Sequence, residues 1–206
     1  MRRRYHDERM AWPVSPQPQI LRPFYERLGF NMTGAQKRVI GEIENDMKQD
    51  HAMLRLVQGD VGAGKTVVAA VAILNAIAQG YQAAFMAPTE LLAEQHFQNL
   101  KGWFEPLNIN LAWLTGSVRG KERTATLEQI VCGKAQVVVG THALFQEEVV
   151  YDHLALVVVD EQHRFGVQQR LALKEKGGRN SETEQARCPH QLIMTATPIP
   201  RTLAMV

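Results

Sequence analysis

Cysteine is almost missing from this chain. Its 206 residues hold two, Cys132 and Cys188, far apart and without paired spacing. That argues against a disulfide framework and against a cysteine-based zinc site, and the pair reads as reduced thiols of a cytoplasmic protein. The segment "CPH", Cys188 to His190, is too short and lacks the further ligands zinc needs. No long apolar run is present either: the longest, Val67 to Ala78, is broken by Asn75 and is too short to cross a bilayer. "MRRRYHDERM" starts basic but has no apolar stretch behind it, so neither a signal peptide nor a membrane partner is expected. Charge of one sign is lacking as well. With 23 basic and 21 acidic residues the formal charge is +2, which excludes coating DNA by bulk charge but not a few well-placed phosphate contacts. There is no internal repeat and no low-complexity tract.

What is present is ordinary globular composition, 45% hydrophobic and 21% charged, over a length that suits one full domain and an appendage. Residues 1 to about 18 are charged and then proline-containing ("WPVSPQPQ"), which predicts a short helix and a linker. Leu21 to Gly29 reads as a second short helix. From Thr33, "TGAQKRVIGEIENDMKQD" places Val39, Ile40, Ile43 and Met47 on one face of an amphipathic helix. Beyond it six apolar runs, "MLRLVQ", "QAAFMA", "NLAWL", "AQVVVG", "LALVVVD" and "QLIMTA", alternate with helical patterns near 65–79, 89–104, 119–133, 141–146 and 163–175. Such alternation predicts an α/β fold, a mainly parallel sheet with helices on both faces. Ligands of these sheets bind beyond the C-terminal ends of the strands. "EKGGRNSETEQARC" reads as a polar surface loop.

One of those ends carries "GDVGAGKT", Gly59 to Thr66, between the strand "MLRLVQ" and the helix "KTVVAAVAILNAIA". This is G-x-x-x-x-G-K-[ST] in the strand, loop and helix setting of a phosphate-binding loop. Glycines let successive backbone N–H groups turn inward as an anion nest, and the helix adds its positive end. Gly59, Val61, Gly62, Ala63, Gly64, Lys65 and Thr66 are therefore the candidate nucleotide contacts. Lys65 reaches toward the β- and γ-phosphates, and the Thr66 hydroxyl toward Mg²⁺. A second strand, "LALVVVD", ends on two adjacent carboxylates, Asp160 and Glu161. An unpaired carboxylate at a buried strand's end is costly, so a cation is expected there. Asp160 suits a nucleotide-bound Mg²⁺, and Glu161 suits a general base that orients the attacking water. Neighbouring strand residues face opposite ways, so the two acids do not compete for one position. Lys65 and Glu161 are the candidate catalytic residues.

With "DEQH" the pattern resembles the first RecA-like lobe of a superfamily 2 helicase or translocase. The words "MTGAQKRVIGEI", "APTELLAEQH", "LTGSVRGKER", "VVVGTHALFQ", "DEQHRFGVQQR" and "LIMTATPIPRTLAM" are similar to those of the RecG family of branched-DNA helicases. The resemblance covers about residues 20–206, in order. It implies a RecA-like lobe at 31–206 behind linker and short helices at 1–30. It further implies ATP and Mg²⁺ as cofactors, and branched double-stranded DNA (forks and four-way junctions) as partner. A second RecA-like lobe and a wedge domain would be supplied elsewhere in the same polypeptide, and the protein is expected to be monomeric. Without that second lobe, ATP hydrolysis by this chain alone is expected to be close to nil.

Residue by residue, the resemblance assigns adenine recognition to Gln36, whose amide can donate and accept along a base edge. Phe30 packs on the base or belongs to the core. Pro88, Thr89, Gly116 and Thr141 become DNA contacts at strand-to-helix turns, with Thr89 and Thr141 as helix N-caps. His163, Thr195 and Thr197 become couplers between nucleotide and DNA. Arg164 and Arg201 remain open between phosphate binding and ion pairing within the lobe, and His142, His153 and His190 read as surface or structural. Two alternatives share part of the pattern. The translocase of transcription–repair coupling has "GDVG.GKT", "HRFG" and "TATPIPRTL", but usually a second Glu where this chain has Gln162. A nucleotide switch or kinase without DNA would share the phosphate loop, yet no lid segment or acceptor site is found.

Overall fold

The computed structural model describes residues 10–60, 62–160 and 187–196. Among these, six strands form one parallel sheet: β1 (Leu54–Gln58), β2 (Gln82–Met86), β3 (Leu111–Leu114), β4 (Val137–Gly140), β5 (Leu154–Asp160) and β6 (His190–Thr195). Their order across the sheet is β1-β6-β5-β2-β4-β3. Strands buried on both faces need apolar residues at consecutive positions. Accordingly β2, β4 and β6 are buried throughout, and β5 is buried up to its last residue. Side chains alternate, so Val158 and Leu156 join one core while Val157 and Val159 join the other.

The helices are α1 (Pro18–Arg27), α2 (Gly34–Met47), α3 (Lys65–Ile77), α4 (Glu90–Phe104) and α5 (Gly120–Val131). They fall within a few residues of the predicted spans. Residues 141–146 are the exception: His142–Phe145 forms one 3-10 turn instead of a helix. The helix expected at 163–175 lies outside the described residues, and residues 11–17, before α1, are irregular.

Helix α3 is apolar all round and is buried from Val67 to Ile77, because the sheet lies on one side of it and α1 and α2 lie on the other. Val14, Leu21, Phe24 and Leu28, from the segment leading into the lobe, pack in this same core. Phe24 also meets Trp103 and Phe104 of α4, with ring centroids 6.0 and 6.4 Å away. Asn75, the polar interruption in the apolar run, is only 1% exposed. Its Oδ1 accepts the Gln17 N–H at 2.8 Å and its amide donates to Glu44 at 3.1 Å, tying the start of α1 to α2 through α3. His190, which the sequence leaves open between a surface and a structural role, is structural and fully buried. Its Nδ1 accepts the Met53 N–H at 3.0 Å, and its Nε2–H donates to the Trp12 carbonyl at 2.8 Å.

Candidate nucleotide and nucleic-acid site

The six described strands run the same way, so their C-terminal ends share one edge, and the described motif residues lie along it. The phosphate loop follows β1. Its Gly59 N–H donates to the Thr195 carbonyl at the end of β6 at 3.2 Å, and Ala63 N–H donates to the Asp60 carbonyl at 3.1 Å. Gly62 and Gly64 stand at φ 85° and 73°, left-handed backbone in which a side chain is strained. Lys65 and Thr66 open α3, where the first N–H groups have no helical acceptor. The Lys65 ammonium donates to the Gly59 and Asp60 carbonyls at 2.6 and 2.9 Å, so it already lies over the loop. Val61 lies outside the described residues.

Gln36 roofs this loop. It forms a capping box with Thr33: its backbone N–H donates to Thr33 Oγ1, and its Oε1 accepts the Thr33 N–H at 2.8 Å. Its Nε2 donates to the Ala63 carbonyl at 3.0 Å, and a Cβ added at Gly64 would lie 2.2 Å from that nitrogen. One amide thus starts α2 and steadies the loop, leaving its second N–H for another acceptor. Phe30, a few residues before, is 49% exposed and so is not a core residue.

On β5, Asp160 aligns with Met194 of β6 and is partly buried. The carboxylate and the loop therefore stand two strands apart across β6, roughly 10 Å at ordinary strand spacing. Thr195, the last residue of β6, is buried between them. Glu161, His163, Thr197, Arg164 and Arg201 lie outside the described residues. The donor set suits a nucleotide phosphate with Mg²⁺: open N–H groups at a helix start, an ammonium, a hydroxyl at Thr66, and a hard carboxylate oxygen at Asp160.

Sequence reasoning missed one neighbour. His96 of α4 donates from Nε2 to Asp160 Oδ2 at 2.6 Å, and both side chains are 13% exposed. A signal was available, since Ala93, His96 and Leu100 share the buried face of α4, and a ring placed there needs a polar partner.

The other half of the edge holds the residues expected to meet DNA. Thr89 is the N-cap of α4, and its side chain accepts the Leu92 N–H at 3.3 Å. Pro88 beside it is half-buried. Glu90 accepts the Ser117 N–H at 3.2 Å, which joins this turn to the exposed Gly116 and Ser117 after β3. Arg123 of α5 steadies that loop from behind, donating to the Thr115 carbonyl at 3.5 Å, to Gln146 at 2.7 Å and to Glu148. At the end of β4, Gly140 lies so close to β3 that a Cβ on it would be 1.7 Å from the Leu114 carbonyl oxygen. Thr141 is not the expected N-cap: it is 3% exposed, precedes only the 3-10 turn, and its side chain makes no capping bond.

A RecA-like parallel sheet with a phosphate loop on β1 and a carboxylate ending β5 defines a P-loop nucleotide-binding lobe. More narrowly, residues 33–206 match the DEAD/DEAH box helicase family, and the chain belongs to it. It is 59% identical over 195 residues to the ATP-dependent DNA helicase RecG of Escherichia coli (strain K12), and 58% identical to that of Haemophilus influenzae. These matches cover 95% of this chain and 27% of each relative. A structure of RecG bound to a three-way DNA junction superposes with TM-score 0.81 at 39% identity, over 97% of this chain and 26% of that one. The helicase MrfA bound to DNA and AMPPNP, at TM-score 0.66 and 16% identity, shares the fold. The chain thus spans about a quarter of the length of these RecG proteins.

Proposed function

We propose that this chain is the ATP-binding lobe of an ATP-dependent helicase or translocase that remodels branched DNA such as stalled forks and Holliday junctions, in recombination and repair. One observation carries the reading. A single sheet edge holds the phosphate loop and Asp160 at one end, and the turns at Thr89, Gly116 and Thr141 at the other. The likeness to RecG, whose structure was solved on a three-way junction, supports the DNA side. In this reading Lys65 and the N–H groups of the loop hold the phosphates of ATP, and Gln36 and Phe30 hold the adenine. Thr66 and Asp160 would hold Mg²⁺, which when bound draws charge from the phosphates. Glu161 takes the proton of the attacking water, and Lys65 stabilises charge that builds on the transferred phosphoryl group. Pro88, Thr89, Gly116 and Thr141 contact the DNA backbone, and His163, Thr195 and Thr197 relay the nucleotide state to them. The second lobe and the wedge domain are part of the same polypeptide, a cytoplasmic monomer. Residues 1–30 are the connection into a lobe running from 31 to 206.

The test is ATP hydrolysis by the chain alone and by the chain joined to a second lobe, each with and without forked DNA. DNA-stimulated turnover in the longer protein only, lost in Glu161→Gln, is expected. If both proteins bind ATP and neither responds to DNA, a nucleotide switch replaces the motor. If the longer protein turns over faster on any duplex with no preference for branches, the transcription–repair coupling class replaces the fork remodeller.

A further inference from the structure

The contact between His96 and Asp160 joins two elements that the phosphate loop does not connect. Asp160 ends β5, whereas His96 sits in the second turn of α4, the helix that follows β2. Strands β2 and β5 are direct neighbours, so the ring reaches across from one to the end of the other. Three restraints act on that ring. Phe85 of β2, fully buried, packs on it with centroids 4.5 Å apart. Ala93 and Leu100 bury the same face of α4. The bond from Nε2–H to Asp160 Oδ2 is 2.6 Å long between two side chains each 13% exposed. Among the described residues His96 Nδ1 is buried without a partner, so the Asp160 bond is the only polar restraint found on the ring. A carboxylate has two oxygens and rotates readily about its last torsion. With Oδ2 engaged by a ring wedged against Phe85, the rotation stops and Oδ1 is left for a further partner.

We propose that His96 is a positioning residue for Asp160: its Nε2–H holds one carboxylate oxygen so that the other is presented to the Mg²⁺ of bound ATP. This rests on the reading of Asp160 as a Mg²⁺ ligand given above. Groups that orient a metal ligand from behind contribute roughly 10- to 100-fold to metal affinity when they are removed. The same size of effect is expected here, confined to the metal-dependent part of nucleotide binding.

The experiment uses the full-length helicase and a fluorescent, non-hydrolysable ATP analogue, titrated once in EDTA and once in Mg²⁺. The ratio of the two affinities measures what the metal adds. His96→Phe keeps the ring on Phe85 but has no N–H. His96→Gln offers an amide N–H at a similar reach. Binding in EDTA is expected to be unchanged in both, while the gain from Mg²⁺ falls about 10-fold or more in His96→Phe and is largely restored in His96→Gln. The Mg²⁺ concentration giving half-maximal ATP hydrolysis should rise in parallel. An unchanged gain in His96→Phe overturns the proposal, as does an equal loss in both variants or a loss that appears equally in EDTA; each would make His96 a filler of space. Asp160→Asn separates the two levels. If it leaves the Mg²⁺ gain intact, Asp160 is not a metal ligand and both readings fall; if it abolishes the gain while His96→Phe does not, only the role of His96 falls.

Discussion

Acid should loosen this lobe through one imidazole. His190 begins β6, where Nδ1 accepts the Met53 N–H and Nε2–H donates to the Trp12 carbonyl. A backbone N–H can only donate, so Nδ1 must be unprotonated in the folded protein. Protonation would set two donors against each other in a fully buried site. Burial pushes the His190 pKa down to about 4, with the Trp12 carbonyl pulling it up, the nearby His51 lowering it further and Asp46 raising it. Because the folded value lies below the unfolded one of about 6.5, the unfolded chain takes up the proton first. The contribution is therefore fully present above about pH 6.5 and is lost as pH falls toward 4. Worked through the two values, the loss between pH 7 and pH 5 is about 2 kcal/mol. The assay is urea unfolding followed by circular dichroism at pH 7, 6 and 5, beside His190→Gln. The variant should lose roughly 1–3 kcal/mol at pH 7, because the Met53 N–H is left unpaired. Its stability should then fall less steeply with acid than that of the native chain, by about the same 2 kcal/mol. Carboxylates contribute equally to both slopes and cancel in the difference. If the two chains lose stability in parallel from pH 7 to pH 5, the bonding drawn here for His190 is wrong.

Three further outcomes follow from particular contacts. Gly140→Ala should destabilise by several kcal/mol, since the added methyl meets a backbone oxygen that cannot swing aside; it would be read as a drop in the urea midpoint, and a change under about 1 kcal/mol would contradict the packing at the β3 and β4 ends. Asn75→Leu should cost about 1–3 kcal/mol despite its apolar setting, because the Gln17 N–H loses its acceptor, and protease cleavage ahead of α1 should become faster. Gln36→Ala removes the side-chain half of the capping box and the bond to the Ala63 carbonyl. It should cost about 1 kcal/mol in stability and weaken ATP more than it weakens inorganic phosphate, measured by calorimetry; equal weakening would place Gln36 on the loop alone and away from adenine.

The strands, most of the helices and the phosphate loop were legible in the sequence because each is local. A buried parallel strand announces itself as an apolar run, an amphipathic helix as a 3.6-residue period, and a phosphate loop is built by the backbone of consecutive residues with glycine where φ turns positive. Even there, locality misled once. "GTHALF" has the look of a helix start, yet His142–Phe145 closes as a single turn, and periodicity cannot separate one turn from the first turn of many. The pairing of Asp160 with His96 left only a weak mark, because it depends on β2 standing next to β5, and strand order is a property of the whole sheet. The same holds for Gln36 on Ala63, for Asn75 between Gln17 and Glu44, and for His190 between Met53 and Trp12. Each is a polar side chain whose partner lies 27 to 178 positions away along the chain. The sequence by itself determined which chemistry this chain carries, since that chemistry resides in short contiguous motifs. Only the tertiary structure decided which side chains hold that chemistry in place, because a buried polar atom takes its partner from whatever the packing sets within about 3 Å.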